Sequence, residues 1–375
     1  MPKVLIIGGL SSCARHIALQ IHKLGIADRL CIVDKGVPEM QFMDKACEEA
    51  ILPHFIQGDM SQLSTRSLIW IVGTGFSTCK ARFRIIKTIV KVYEQSIWRL
   101  SLLPARKAAE RGIKCWIQLS SFEVYEASHK RKTENCPTKP CSTRGKWRLK
   151  TEESLQNIPG LNLVVARKAL SIITTLSLTQ GTWLTLGTIF KYQNQELPLL
   201  GKATDRQNTV NTVDLARAFI HLAEWYTSRY QTPPTKPLIF NLSDPCDLRQ
   251  SGMVALYNEA FNVKTRFIMI PNLFAKYMIK SIADEFNETM IKDWSEMLRK
   301  AGIAHSPFNP YMDSELLAIR EIAMDGSKIE KETGFKYLYP AMTVETGSSP
   351  IQDYISRKLW PLVTGKEQVA HISSY

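Results

Sequence analysis

Near the start of the chain an apolar run, Val4 to Ile7, breaks at Gly8-Gly9. Ser11 and Ala14 follow Gly8 at regular spacing, and Ile17, Ile21 and Leu24 then mark one helical face. Residues of these types in this order could bind phosphate without a charged side chain. A helix that opens out of a glycine turn offers unpaired backbone N–H groups and the positive end of its dipole to an anion. The pyrophosphate of a dinucleotide is the ligand this arrangement suits. Of the spacing G-x-x-G-x-x-G only Gly8 is kept. Ala14 still allows close packing of helix on strand, whereas Ser11 adds a side chain where backbone would approach phosphate most closely.

A carboxylate stands where the other half of such a ligand would lie. Asp34 ends the run Leu30-Cys-Ile-Val-Asp34, about twenty residues beyond the turn, where an acid accepts hydrogen bonds from the adenosine ribose and repels a 2′-phosphate. NAD is the expected cofactor. NADP is the alternative, because Lys35 could contact the extra phosphate. Asp59 ends a further short strand, and Gly73 and Gly75 would let backbone pass close to a ligand on the same sheet edge. The candidate cofactor residues are therefore Gly8, Gly9, Ser11, Ala14, Asp34, Asp59, Gly73 and Gly75; no spacing points to a metal.

Positioning these groups requires alternating strands and helices. Strands are expected over 4–7, 30–34, 55–60, 67–72, 114–119, 161–166 and 238–241. A long helical pattern from Arg84 to Arg111 carries Ile85, Ile89, Val92, Ile97 and Leu100. A shorter helix runs from Lys146 to Gln156, and 208–218 reads as a strand entering a helix with Asp214 in its first turn. This alternation predicts a doubly wound parallel α/β sheet with ligands at the carboxyl ends of its strands. A discontinuous nucleotide-binding domain (1–168 and 205–243), a smaller substrate-side lobe (169–204 and 244–346) and a polar C-terminal tail (347–375) are expected.

Composition fits an ordinary globular chain: 375 residues, 45% apolar and 22% charged. The eight cysteines are scattered, with no C-x-x-C pair, which argues against structural zinc and for a reducing, cytoplasmic setting. The uncharged stretch Ala169 to Phe190 is interrupted by Thr, Ser, Gln and Gly, so no membrane span is expected. A net charge of +13 favours acidic or phosphorylated partners. Its densest part, His129 to Lys150, lacks any nucleic-acid-binding motif and reads as a solvated loop and helix face.

The order of parts resembles the extended short-chain dehydrogenases/reductases, the NAD-dependent epimerase/dehydratase superfamily. Ser120-Ser121-Phe-Glu-Val-Tyr125 resembles that family's serine/threonine segment at the end of the fifth strand. Arg206-Gln-Asn-Thr-Val-Asn-Thr-Val-Asp214-Leu-Ala-Arg-Ala218 is similar to its strand-to-helix segment. Phe240-Asn241-Leu242 and Glu332-Thr-Gly-Phe335 fit its later landmarks.

The resemblance implies a Rossmann fold, a nicotinamide dinucleotide, a small-molecule substrate, and pairing of copies through the helices after the fourth and fifth strands. It also implies a hydroxyl, matched by Ser121, and a tyrosine with a lysine one helical turn on that lowers the phenol's pKa. Counting back from Glu152 puts Arg144 at the tyrosine position and Arg148 at the lysine position, and an arginine does not give up its proton near neutrality. Tyr125, Glu123 and Lys146 are the remaining candidates for proton transfer. Phe122-Glu123 replaces the Asp-Glu pair of the dehydratases, and Arg167-Lys168-Ala169 replaces an Arg-Pro turn. Three functions stay open: a dinucleotide-binding protein without turnover, acting as sensor, scaffold or accessory subunit; an active oxidoreductase or epimerase, on a sugar nucleotide or similar alcohol, using Ser121 with Tyr125 or Glu123; and, on the charge of 129–150 alone, a nucleic-acid-binding protein.

Overall fold

The computed structural model describes residues 3–40, 43–61, 73–75, 91–172, 178–269, 275–348, 350–365 and 368–370. The first half builds one parallel sheet from β1 (Lys3–Ile7), β2 (Arg29–Asp34), β3 (Phe55–Gln57), β4 (Gly73–Gly75), β5 (Trp116–Ser121) and β6 (Leu163–Lys168). A later strand, β10 (Leu238–Leu242), completes seven strands in the order β3-β2-β1-β4-β5-β6-β10. Strand order reverses between β1 and β4, so the carboxyl ends of those strands border the crevice where doubly wound sheets hold their ligands. Residues 67–72, and the start of the long helix from Arg84, lie outside the described residues. Gly73–Gly75 pairs with both β1 and β5.

Between these strands run α1 (Ser12–Leu24), α2 (Lys45–Ile51), α3 (Leu100–Glu110) and α4 (Thr143–Gln156). A π-helical segment, Glu94–Arg99, leads into α3. Two apolar layers cover the sheet. Ile6, Ile17, Ile32, Ile117, Val164 and Phe219 pack on one face, and Leu5, Ile7, Leu102, Trp116, Leu155 and Val165 on the other. Gly25 ends α1 in the left-handed region (φ 59°), as glycine does after a last helical turn. The buried side of α1 differs from the expected stripe: Leu24 is 57% exposed, while Arg15 and His16 are buried. The helix packs between α2 and the later helix Thr212–Arg229, which covers polar positions the periodicity assigned to solvent.

Beyond β6 come β7 (Leu170–Ile172), α5 (Leu178–Gln193), β8 (Leu197–Leu200), β9 (Thr209–Asn211) and α6 (Thr212–Arg229). After β10 follow α7 (Gln250–Phe261), β11 (Thr265–Ile268), α8 (Ala275–Lys300), α9 (Ser314–Leu317), α10 (Ser327–Thr333), α11 (Val344–Ser348), α12 (Pro350–Ser356), β12 (Leu362–Gly365) and β13 (Gln368–Ala370). A separate apolar cluster joins Ile189 and Phe190 of α5, Leu199 of β8, and Trp294 and Met297 of α8.

Two features depart from the expected partition. Tyr354 and Trp360 are buried in that second cluster, so the segment read as a polar tail supplies two aromatic side chains to the lobe's core. Ile319, Ile322, Met324, Ile329 and Phe335 instead join the first cluster, against the sheet. No described helix is long and apolar enough to cross a membrane, and the uncharged stretch divides into β7 and α5.

Candidate functional site

At the carboxyl ends of β1, β2 and β3 a small open cleft is lined by Gly8, Asp34, Lys35, Asp59 and Ser96, among others. The turn after β1 is bound to β2 by its own backbone. The N–H groups of Gly8 and Gly9 both donate to the Val33 carbonyl, at 2.8 and 3.1 Å. A Cβ on Gly9 would lie 2.1 Å from Ile32 Cγ2, so glycine there permits the close approach. Ser11 caps α1, its Oγ accepting from Ala14 N at 3.2 Å. It therefore takes one helix-end donor that a ligand would otherwise use. Ala14 is fully buried. The Ser12 and Cys13 N–H groups make no hydrogen bond among the described residues, and they stay available to an anion at the helix end.

Asp34 sits at the end of β2, with Oδ2 accepting from Leu10 N at 3.1 Å and Oδ1 from Gly36 N at 2.9 Å. Its carboxylate thus holds the glycine turn against β2 and keeps further lone pairs free to accept hydrogen bonds. Asp59 is turned to Ser61, whose N–H and hydroxyl both donate to Oδ1. Gly73 and Gly75 lie in the middle of the sheet beside β1.

A second constellation stands at the ends of β5 and β6. Ser121 is buried, and its Oγ donates to Glu123 Oε2 at 3.0 Å. Glu123, also buried, accepts three hydrogen bonds from Arg144 at 2.9–3.1 Å and one from Ser142 Oγ at 2.8 Å. Arg148 Nε lies 3.9 Å from the same carboxylate. Burial alone would raise the pKa of Glu123. The two guanidinium groups and the Ser142 hydroxyl outweigh it and hold the acid ionised, with a pKa of about 2.

Local sequence explains the geometry. Ser142 caps α4 through Gly145 N, and a Cβ on Gly145 would lie 2.2 Å from the Glu123 carbonyl. Glycine therefore lets the first turn of α4 sit directly on the strand-end turn. Residues 144 and 148, four apart, share one helix face.

The structure brings Ser121, Glu123, Arg144 and Arg148 together and leaves two candidates outside. Lys146 is exposed on α4, since two positions along a helix turn a side chain to the other face. Tyr125 is buried, its phenol donating to Asn241 Oδ1 at 2.9 Å and accepting from Arg167 Nη1 at 2.7 Å. Burial raises its pKa above the usual phenol value despite Arg167, and Arg167 is itself held by Glu152 at 2.6 Å. Tyr125 thus belongs to an internal network, not to a proton path at Ser121.

Lys168, which sequence reasoning passed over, is the cross-strand neighbour of Ser121. The signal was its place directly after Arg167 at a strand end.

The basic segment is largely spent on partners: Arg131 faces Asp247 at 3.5 Å, Lys139 bonds Glu126, and Lys150 lies 4.5 Å from the rings of both Trp98 and Trp147. His129, Asp205 and Glu321 bring possible metal ligands within 4.8 Å of one another. His129 Nδ1 already lies 2.5 Å from Glu321 and Asp205 accepts from Lys202 N, so this grouping fastens the loop after β5 to later segments of the chain.

No family model matches the sequence, and no curated protein sequence matches it. Solved structures do match. The dTDP-glucose 4,6-dehydratase of Bacillus anthracis, in complex with NAD, superposes with a TM-score of 0.64 at 12% identity over 96% of this chain and 99% of that one. The fold is that of the extended short-chain dehydrogenases/reductases. UDP-glucose 4-epimerase from Bifidobacterium longum, in complex with NAD⁺ and UDP, gives a TM-score of 0.61 at 16% identity over 94% of this chain and 98% of that one. A human epimerase family protein with NADPH gives 0.63 at 13% identity over 93% and 99%. Arg144 and Arg148 stand on the helix after β5, at the positions where the resemblance in sequence puts a tyrosine and a lysine.

Proposed function

We propose that this chain binds a nicotinamide dinucleotide and has exchanged the proton-transfer couple for an ion-pair lock, acting as a dinucleotide-responsive sensor, scaffold or accessory subunit without turnover. The observation that carries this reading is the closure of Arg144 and Arg148 on the buried Glu123. A guanidinium does not release a proton near neutrality, and a carboxylate held near pKa 2 is a poor general base. Ser121 Oγ donates to that carboxylate, so its hydroxyl is already engaged. The dinucleotide would be held by the Ser12 and Cys13 N–H groups at its pyrophosphate and by Asp34 at its ribose. NAD is favoured by the Asp34 charge, with NADP the alternative through Lys35.

A thermal-shift series with NAD, NADH, NADP and NADPH tests the binding half, because a ligand that binds only the folded state raises the midpoint. At least one dinucleotide is expected to raise it, with NAD ahead of NADP; four null results remove the dinucleotide. Nicotinamide absorbance followed across sugar nucleotides and other alcohols tests the catalytic half. No substrate-dependent change is expected, and turnover abolished by Ser121→Ala would restore the active-enzyme reading.

A further inference from the structure

Charge at the mouth beside Ser121 does not balance. Glu123 is the one carboxylate within ion-pair distance of Arg144 or Arg148 among the described residues. Lys168, paired across the sheet with Ser121, makes no ion pair there, and its Nζ donates to Ser171 Oγ at 2.6 Å. The other described acids near the cluster are engaged elsewhere: Glu152 is bonded to Arg167, Glu315 accepts from the Thr143 N–H and hydroxyl, and Asp313 accepts from Glu315 N. Among the described residues three cations therefore share one anion. Arg148 is also short of acceptors, since its Nε is buried with no hydrogen-bond partner and Nη1 reaches only the Leu119 carbonyl at 3.4 Å. Holding unpaired charge out of water is costly unless a counter-ion is supplied.

The cluster is reachable. Arg144 and Arg148 keep 28% and 11% of their side-chain surface exposed.

We propose that Lys168, Arg148 and Arg144 form a binding site for a compact, doubly negative oxyanion of the phosphate or phosphomonoester class, seated beside Ser121. The site deepens the function proposed above, since it rests on taking the mouth as a place that binds rather than one that transfers hydride. Excess charge of two favours a dianion over a monoanion. Charge-assisted hydrogen bonds from a guanidinium and an ammonium supply the geometry.

Isothermal titration of the full chain with inorganic phosphate, and with acetate as the monoanion, tests this. Phosphate is expected to bind more tightly than acetate. Lys168→Met should weaken phosphate binding about tenfold or more, whereas Glu123→Gln, which removes the competing anion, should tighten it. A purely structural role for the cluster does not give these opposite signs. If Lys168→Met does not fold, Lys168→Gln removes the charge while keeping a donor for Ser171, and the same loss is expected. Unchanged affinity in a folded Lys168 variant, or acetate binding as tightly as phosphate, overturns the proposal. Phosphate binding through Lys168 with no midpoint shift from any dinucleotide would remove the dinucleotide reading and leave the anion site standing. A dinucleotide shift with no phosphate binding would do the reverse.

Discussion

The two ends of the sheet's ligand edge treat their polar groups differently. At β1–β3 the side chains and turn are engaged by neighbouring backbone: Gly8 and Gly9 on Val33, Asp34 on Leu10 and Gly36, Asp59 on Ser61. Hydrogen bonds to backbone set a shape and leave carboxylate lone pairs free. At β5–β6 side chains engage one another, with Ser121, Ser142, Arg144 and Arg148 converging on one carboxylate. That arrangement engages the Ser121 hydroxyl and the Glu123 carboxylate within the chain. The difference teaches that one sheet edge can hold its polar groups in two ways, by backbone at one end and by paired side chains at the other.

Breaking the lock should have the largest effect. Arg144→Ala leaves a buried carboxylate with its main partner gone, and a loss of about 3–5 kcal/mol in denaturant unfolding is expected. Dinucleotide-induced stabilisation of whatever remains folded should persist, because the cleft lies at the other end. Acid titration sharpens the same point. The folded pKa of Glu123 is depressed to about 2 from 4.5, so its contribution is complete above about pH 4.5 and is lost as pH falls toward 2. Glu123→Gln should flatten that limb of the stability curve, and an unchanged limb would contradict the lock.

Smaller effects are expected at the cleft. Gly9→Ala drives a methyl group against Ile32 and should cost about 1–3 kcal/mol, lowering the midpoint with or without ligand. Asp34→Ala frees the Leu10 and Gly36 N–H groups, for about 1–2 kcal/mol, and should reduce the NAD-induced shift more than it reduces stability. An Asp34 variant with a full NAD shift would mean the ribose is held elsewhere. Smallest of all, Lys146→Ala should change stability by less than about 0.5 kcal/mol, as exposed substitutions do, and leave the dinucleotide shift intact. A large loss there would bring Lys146 back to the mouth.

Much of the fold was legible because strand and helix periods are local. Val4–Ile7, Leu30–Asp34 and the helix ending at Gly25 are written in apolar spacing and a left-handed glycine. Boundaries moved where caps decided them: α4 begins at Thr143 because Ser142 caps it, not at Lys146. Lys146 and Tyr125 lie apart from Ser121 for a common reason. Residue type and proximity along the chain say what a group can do, but not which way it faces or what it touches. Tyr125 lies four residues beyond Ser121, yet its phenol is claimed by Asn241 and Arg167, which the sequence places far away.

By itself, then, the sequence determined the alternation of strands and helices, the glycine turn, the acid at the end of β2, and the pair of arginines one helical turn apart at 144 and 148. Tertiary structure alone decided that those arginines turn inward onto Glu123, that Lys168 joins them, and that Tyr354 and Trp360 belong to a core. Pattern along a chain is fixed by residue type and period, whereas the balance of charge in a buried place depends on which distant segments meet there.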